Sequence, residues 1–209
     1  MPLIQHQVDG LVYHTASNLD AIQGVAHGFS TRLGGVSTGA LASLNLRGAD
    51  ASGDAPEHVL ENYRRFCAAI GAADSRVVLS HQVHGDIVRV VTEQDAGKGL
   101  YRQRDYAADA LITNRPDLPL FVFSADCIVI LLCDPVAGCV GAVHAGWRGT
   151  ALRIVQKTVE QMAAEFGAQP ERIQAAIGAG IAVCCFETDA DVPQAMADAM
   201  GQEAQPFLQ

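Results

Sequence analysis

Basic residues are scarce in this sequence: 14 Lys and Arg stand against 23 Asp and Glu among 209 residues, a formal net charge of −9 with no offsetting basic block. A surface that tracks nucleic-acid phosphates is thereby excluded, and an anionic substrate requires a local basic pocket. Long apolar runs are missing as well. No stretch approaches the roughly 20 apolar residues of a membrane helix, and the opening MPLIQHQVDG has neither the charged nor the apolar region of a secretion signal. The expectation is a soluble, cytoplasmic protein with no membrane partner. Six cysteines are too few for a disulfide scaffold. Cys127, Cys133 and Cys139 lie in apolar segments, where reduced cysteine behaves as a small hydrophobe, so free thiols are expected. Cys184 and Cys185 are adjacent, which disfavours an ordinary disulfide between them; core packing is preferred to thiol chemistry. No repeat or low-complexity tract is visible, tryptophan occurs once, and no CxxC or HExxH pair fixes a metal site locally.

What is present is enough apolar residue, 49%, for one sizeable core and a single domain. Residues 10–16 and 25–32 are predicted strands, and 34–46 is a loop rich in Gly and Ser. Val59, Leu60, Tyr63, Phe66, Cys67 and Ile70 recur at helical spacing between Pro56 and Gly71. Strands over 77–81 and 86–92 flank Gln-Val-His-Gly, so that a hairpin or tight corner puts His84 at its tip. A surface loop over 93–108 precedes three or four apolar strands between 109 and 143, broken at Pro116 and Asp134-Pro135. A helix from Gly149 to Gly167, a strand over 173–178 and a helix over 190–200 complete a mixed α and β order without Rossmann alternation.

Three sets of residues carry chemistry. His84, Cys127 and His144 offer two imidazoles and a thiol, the donor preference of zinc or copper, and three ligands leave a position open for water or substrate. Their separations of 43 and 17 residues are equally those of a buried cysteine and two hydrogen-bonded histidines. In HAGWRGT (144–150) a strand ends and a helix opens near Thr150, where backbone N–H groups and Arg148 converge on an anion; the competing reading is a plain turn with Thr150 as N-cap and Arg148 in water. Trp147 stacks on a heterocycle or packs under that turn. In FSTRLGGVS (29–37) and SLNL (43–46), Arg32 reaches a phosphate or ribose hydroxyl with Ser30 and Asn45 as supporting donors, or else is an exposed loop arginine. Asp126 orients a ligand histidine, acts as a base, or caps backbone donors.

Together HGFSTRLGG (27–35), SLNL (43–46), HQVHG (81–85), ADALIT (108–113), SADC (124–127), HAGWRGT (144–150) and CCFE (184–187) resemble the YfiH family over roughly residues 10–190. That family is described both as laccase-domain polyphenol oxidases and as purine nucleoside phosphorylases. The resemblance implies an α+β single domain over 1–209, with mixed β-sheets in α/β/β/α layers, likened to a CNF-type toxin deamidase and lacking the family's usual C-terminal segment. It implies a metal, Zn2+ with Cu2+ as the alternative, on His84, Cys127 and His144. The implied substrates are purine nucleosides and phosphate: phosphorolysis of adenosine, inosine, guanosine and methylthioadenosine, with deamination of adenosine. Arg32, Asn45 and Arg148 are the candidate substrate-binding residues. Val129 and Ala179 stand where the family often has proline. Copper-dependent phenol oxidation, a Cys-His thiol hydrolase and a metal-stabilised binding module are the other readings, and the sequence fixes no oligomeric state.

Overall fold

The computed structural model describes residues 2–48 and 52–207. β1 (Leu3–Val8) and β2 (Leu11–Ala16) form an antiparallel hairpin around Asp9 and Gly10, both at positive φ (49° and 82°). Asp-Gly meets the demand of a two-residue hairpin turn for two left-handed residues, which matches the strand twist. After α1 (Ser17–Asp20), β3 (Phe29–Ser30) adds to β2. The strand expected over 25–32 is thus confined to two residues. His27 accepts the Ala16 N–H through Nε2 at 2.8 Å, a role that uses its side chain where a continuing strand would use backbone.

α2 (Pro56–Ile70) forms as its periodicity predicts, with Gly71 at φ 74° stopping it through bonds to the Ala68 and Cys67 carbonyls. Its inward face carries Val59, Tyr63, Phe66 and Cys67, together with the fully buried Asn62. The Asn62 amide accepts from Val36 N–H (2.8 Å) and donates to Ser37 Oγ (2.8 Å) and Asn45 O (2.9 Å), which pins the glycine-rich loop to the helix.

β4 (Val78–Leu79) pairs in parallel with β7 (Leu120–Phe121), whereas β5 (Val88–Val90) pairs in parallel with β6 (Ala110–Thr113). The strands flanking Gln-Val-His-Gly therefore enter different sheets, and the segment is a corner and not a hairpin. β8 (Ile128–Asp134), β9 (Cys139–Ala145) and β10 (Gln174–Ile177) complete a five-stranded mixed sheet in the order β10-β8-β9-β6-β5. Alternation divides its residues cleanly. Ile130, Leu132, Val143, Ala110 and Ile112 face one helix layer, while Leu131, Cys133 and Val140 face the opposite side, with Leu19 of α1.

The helix expected from Gly149 to Gly167 is two: α3 (Trp147–Ala151) and α4 (Ile154–Phe166), separated where Arg153 turns left-handed (φ 61°). α4 buries Ile154 and Met162 against the sheet; Gly141 in β9 gives it room, since a Cβ there would lie 3.4 Å from Met162 Sδ. On the far side α2 covers Val77, Leu79 and Phe121, so the layers run helix, sheet, sheet, helix. α5 (Asp191–Met200) follows β10. No helix among the described residues is long and apolar enough to cross a membrane.

The β8–β9 turn is held by Asp134, whose buried carboxylate accepts from the N–H groups of Val136, Ala137 and Gln169 and from Arg172 (3.0 Å). Burial pushes this carboxyl up, but these donors outweigh it and hold it well below the ordinary 3.8. Such a group contributes stability that is complete above its unfolded value and lost as pH falls through its lower folded value. Asp134→Asn is therefore expected to lower the melting temperature at neutral pH and to flatten the acid limb below pH about 4, as melting across a pH series will show. An unchanged acid limb would contradict this role.

Candidate functional site

The sheet topology decides where the chemistry gathers. β6 and β8 both run antiparallel to β9, and β5 runs parallel to β6. The starts of β5, β6 and β8 and the end of β9 thus lie along one edge. His84 precedes β5, Asp109 precedes β6, Cys127 precedes β8, and His144 nearly ends β9. Ligand atoms of His84, Cys127 and His144 all lie within 4.8 Å of one another, and the two imidazoles meet edge to face with centroids 4.8 Å apart.

Asp109 organises this cluster. Fully buried, it accepts the N–H groups of Val83 (3.2 Å), His84 (3.0 Å) and Gly85 (2.8 Å), and His144 Nδ1 lies 2.9 Å from its Oδ1. Burial alone pushes its carboxyl up; the His144 contact and the three N–H donors more than offset this and leave it below the ordinary value. An ionised Asp109 only accepts, so His144 carries its proton on Nδ1 and turns Nε2 towards the cluster. The same three N–H bonds hold His84 at φ 59°, a left-handed conformation uncommon outside glycine. Gln82 fastens the other side of the corner, its amide exchanging two bonds with the Phe123 backbone (2.6 and 2.9 Å) ahead of Cys127.

Two glycines of HAGWRGT make room. A Cβ on Gly146 would sit 3.1 Å from Cys127 Sγ and 3.2 Å from His84 Cδ2; one on Gly149 would lie 2.8 Å from Gly85 O. Half-buried Cys127 has its thiol pushed up by burial, then by Asp126 and Asp109. Such a thiol ionises readily only beside a cation. Two imidazoles, one with its proton fixed on the far nitrogen, and a thiol at this spacing fit a metal of the zinc or copper type.

The three residues are among those lining a cavity of about 1500 Å³, whose walls include Phe29, Phe123 and Leu131. Arg32 and Asn45 line it too, but Arg32 donates through Nε and Nη2 to Ala42 O, and Asn45 Nδ2 donates to Ser52 Oγ and Asp54 Oδ2. Arg148 is absent from the lining; it is exposed and lies over the Trp147 ring, 4.1 Å from its centroid. The helix of HAGWRGT opens earlier than expected: α3 starts at Trp147 after Gly146, lasts five residues, and takes Thr150 into its interior in place of its cap. Asp126 is exposed and accepts Ile181 N–H through its carbonyl, leaving histidine orientation to Asp109. The sequence reading passed over Asp109 and Gln82, although a lone carboxylate opening the apolar run ALIT was a visible signal.

Residues 26–209 match the family described as multi-copper polyphenol oxidoreductase laccase. The chain is 47% identical over 168 residues to a purine nucleoside phosphorylase of Deinococcus radiodurans, covering 80% of this chain and 61% of that protein. It is 38% identical over 188 residues to the purine nucleoside phosphorylase YfiH of Escherichia coli, covering 90% and 71%. Among solved structures, YlmD from Geobacillus stearothermophilus superposes with a TM-score of 0.83 at 33% identity, covering 97% of this chain and 74% of that one. The chain spans about three fifths of the length of the first curated relatives it matches, 61% and 64%. With this match and its ordered motifs, the chain belongs to the YfiH or laccase-domain family.

Proposed function

We propose that the chain is a metal-dependent purine nucleoside phosphorylase, acting on adenosine, inosine, guanosine and methylthioadenosine, with adenosine deamination at the same site. The observation that carries this reading is the convergence of His84, Cys127 and His144 in the lining of a large cavity whose walls include aromatic residues. The names of the relatives support the phosphorylase part of it. We place the protein in the cytoplasm, where its free thiols stay reduced.

His84, Cys127 and His144 would hold the ion, zinc or copper, which when bound supplies a Lewis acid. Asp109 keeps the proton on Nδ1 of His144 and fixes the His84 corner, so both imidazoles are oriented before substrate arrives. The apolar walls formed by Phe29 and Phe123 take the purine ring and exclude water from it. In phosphorolysis a phosphate oxygen bonds to C1′ as the C1′–N9 bond breaks, and charge spreads over the ribose in the transition state. Arg32 lines the cavity and retains Nη1 beyond its bonds to Ala42, and it is the guanidinium we assign to phosphate. Arg148, stacked outside the cavity, is not given that role.

The test is product analysis of metal-quantified protein with adenosine, with and without phosphate, beside Cys127→Ala. Phosphate-dependent adenine and phosphate-independent inosine are expected, with a fall of at least about 100-fold in the variant, the scale of losing a group central to transition-state stabilisation. Neither product from folded, metal-loaded protein would overturn the reading. Phenol oxidation by the copper-loaded protein in that case would move the assignment to the oxidoreductase activity that the family description carries.

A further inference from the structure

Cys184 and Cys185 take no part in the cluster, and the core packing expected of them does not occur: both side chains are exposed, as free thiols. They sit in a turn whose backbone is tied at three points. Cys185 N–H and Phe186 N–H both donate to Ala182 O (2.9 and 3.0 Å), and Glu187 N–H donates to Cys185 O (3.1 Å). The two Sγ atoms lie 3.3 Å apart on the same side of this turn. Beside them stand Val183, 94% exposed, and Phe186, 43% exposed.

Two thiols presented together to solvent meet no packing need. Joining them is disfavoured, because adjacent Cα atoms are about 3.8 Å apart across a trans peptide, below the roughly 4.4–6.8 Å an unstrained disulfide spans. What the pair does match is a soft atom that takes two sulfurs at once. We propose that the Cys184–Cys185 turn is a dithiol chelation site for trivalent, thiophilic arsenicals of the type R–As=O, separate from the His84–Cys127–His144 cluster. In the reaction two S–H bonds and the arsenic–oxygen bond are exchanged for two As–S bonds and one water. Arsenic stays trivalent, so neither oxidant nor reductant is required. Val183 and Phe186 give the group R an apolar surface. The other four cysteines offer no equivalent: Cys67, Cys133 and Cys139 are buried, and Cys127 faces two histidines.

Native mass spectrometry of the full chain with phenylarsine oxide tests this. One adduct per chain is expected, surviving excess 2-mercaptoethanol, which offers single thiols, and removed by 2,3-dimercaptopropanol, which offers two. Cys184→Ser and Cys185→Ser should each abolish it while leaving the circular dichroism spectrum unchanged, and Cys127→Ala should retain it. No adduct on the wild-type chain would overturn the proposal. So would an adduct that a monothiol removes, or one that persists in either serine variant. Because Cys127→Ala removes the proposed nucleoside activity and spares the adduct, the two proposals fail independently.

Discussion

Replacing Asp109 by asparagine is expected to cut metal affinity by about 10- to 100-fold and to destabilise the fold by about 2–4 kcal/mol. The carboxylate is buried and serves four donors at once: three successive backbone N–H groups of the His84 corner and the Nδ1 of His144. Asparagine keeps one acceptor oxygen and turns an NH2 towards groups that are themselves donors. The corner then loses what holds His84 left-handed, and His144 loses what fixes its proton. Competition with a chromogenic chelator reads the first effect and urea unfolding the second. Wild-type values for both would show that Asp109 does not organise the cluster.

Gly34→Ala is expected to prevent folding, or to destabilise by more than about 4 kcal/mol, the range reserved for severe backbone and packing faults. Its φ is +91°, and a Cβ there would lie 2.0 Å from Leu11 Cα and 2.3 Å from Leu11 N. Backbone atoms at the start of β2 cannot retreat as the end of a flexible side chain would. Gly39→Ala is the control: φ is +61° but nothing lies within 4 Å, so only the left-handed strain of about 1–2 kcal/mol applies. Soluble yield and melting temperature of the two variants separate them, and a Gly34→Ala protein that melts normally would refute the contact. The contrast also bears on function, because the double glycine of FSTRLGG is explained by close backbone approach without any phosphate.

Periodic elements were readable in advance where burial is one-sided and local. α2 announced itself by its apolar spacing, its Pro at the start and its Gly at the end, and β8 and β9 by their apolar runs. The Asp-Gly turn at 9–10 was an equally explicit signal and was passed over, because the polar residues of β1 mask its alternation. What strand patterns do not carry is partner choice. Val78–Leu79 and Val88–Val90 look like two arms of one hairpin, yet β7 and β6, which take them into separate sheets, lie far along the chain. The candidate site divides in the same way. His84, Cys127 and His144 declare their chemistry by residue type, whereas the direction Arg148 takes, over the Trp147 ring, depends on where α3 begins. For Cys184 and Cys185 residue type favours core packing over thiol chemistry, whereas the backbone bonds of their turn present both to solvent.

The gathering of donors along one rim of the five-stranded sheet also sets how the protein tolerates change. The opposite rim holds the β8–β9 turn, and a loop lengthened beyond Asp134 there alters no distance among His84, Cys127 and His144, since every strand's register lies between. On the chemical rim the reverse applies: each donor is one or a few residues from a ladder, so sliding any strand by a single position inverts its faces and carries the donor away. Precision at this site is inherited from hydrogen-bond register, and the far rim is where a longer loop leaves it untouched.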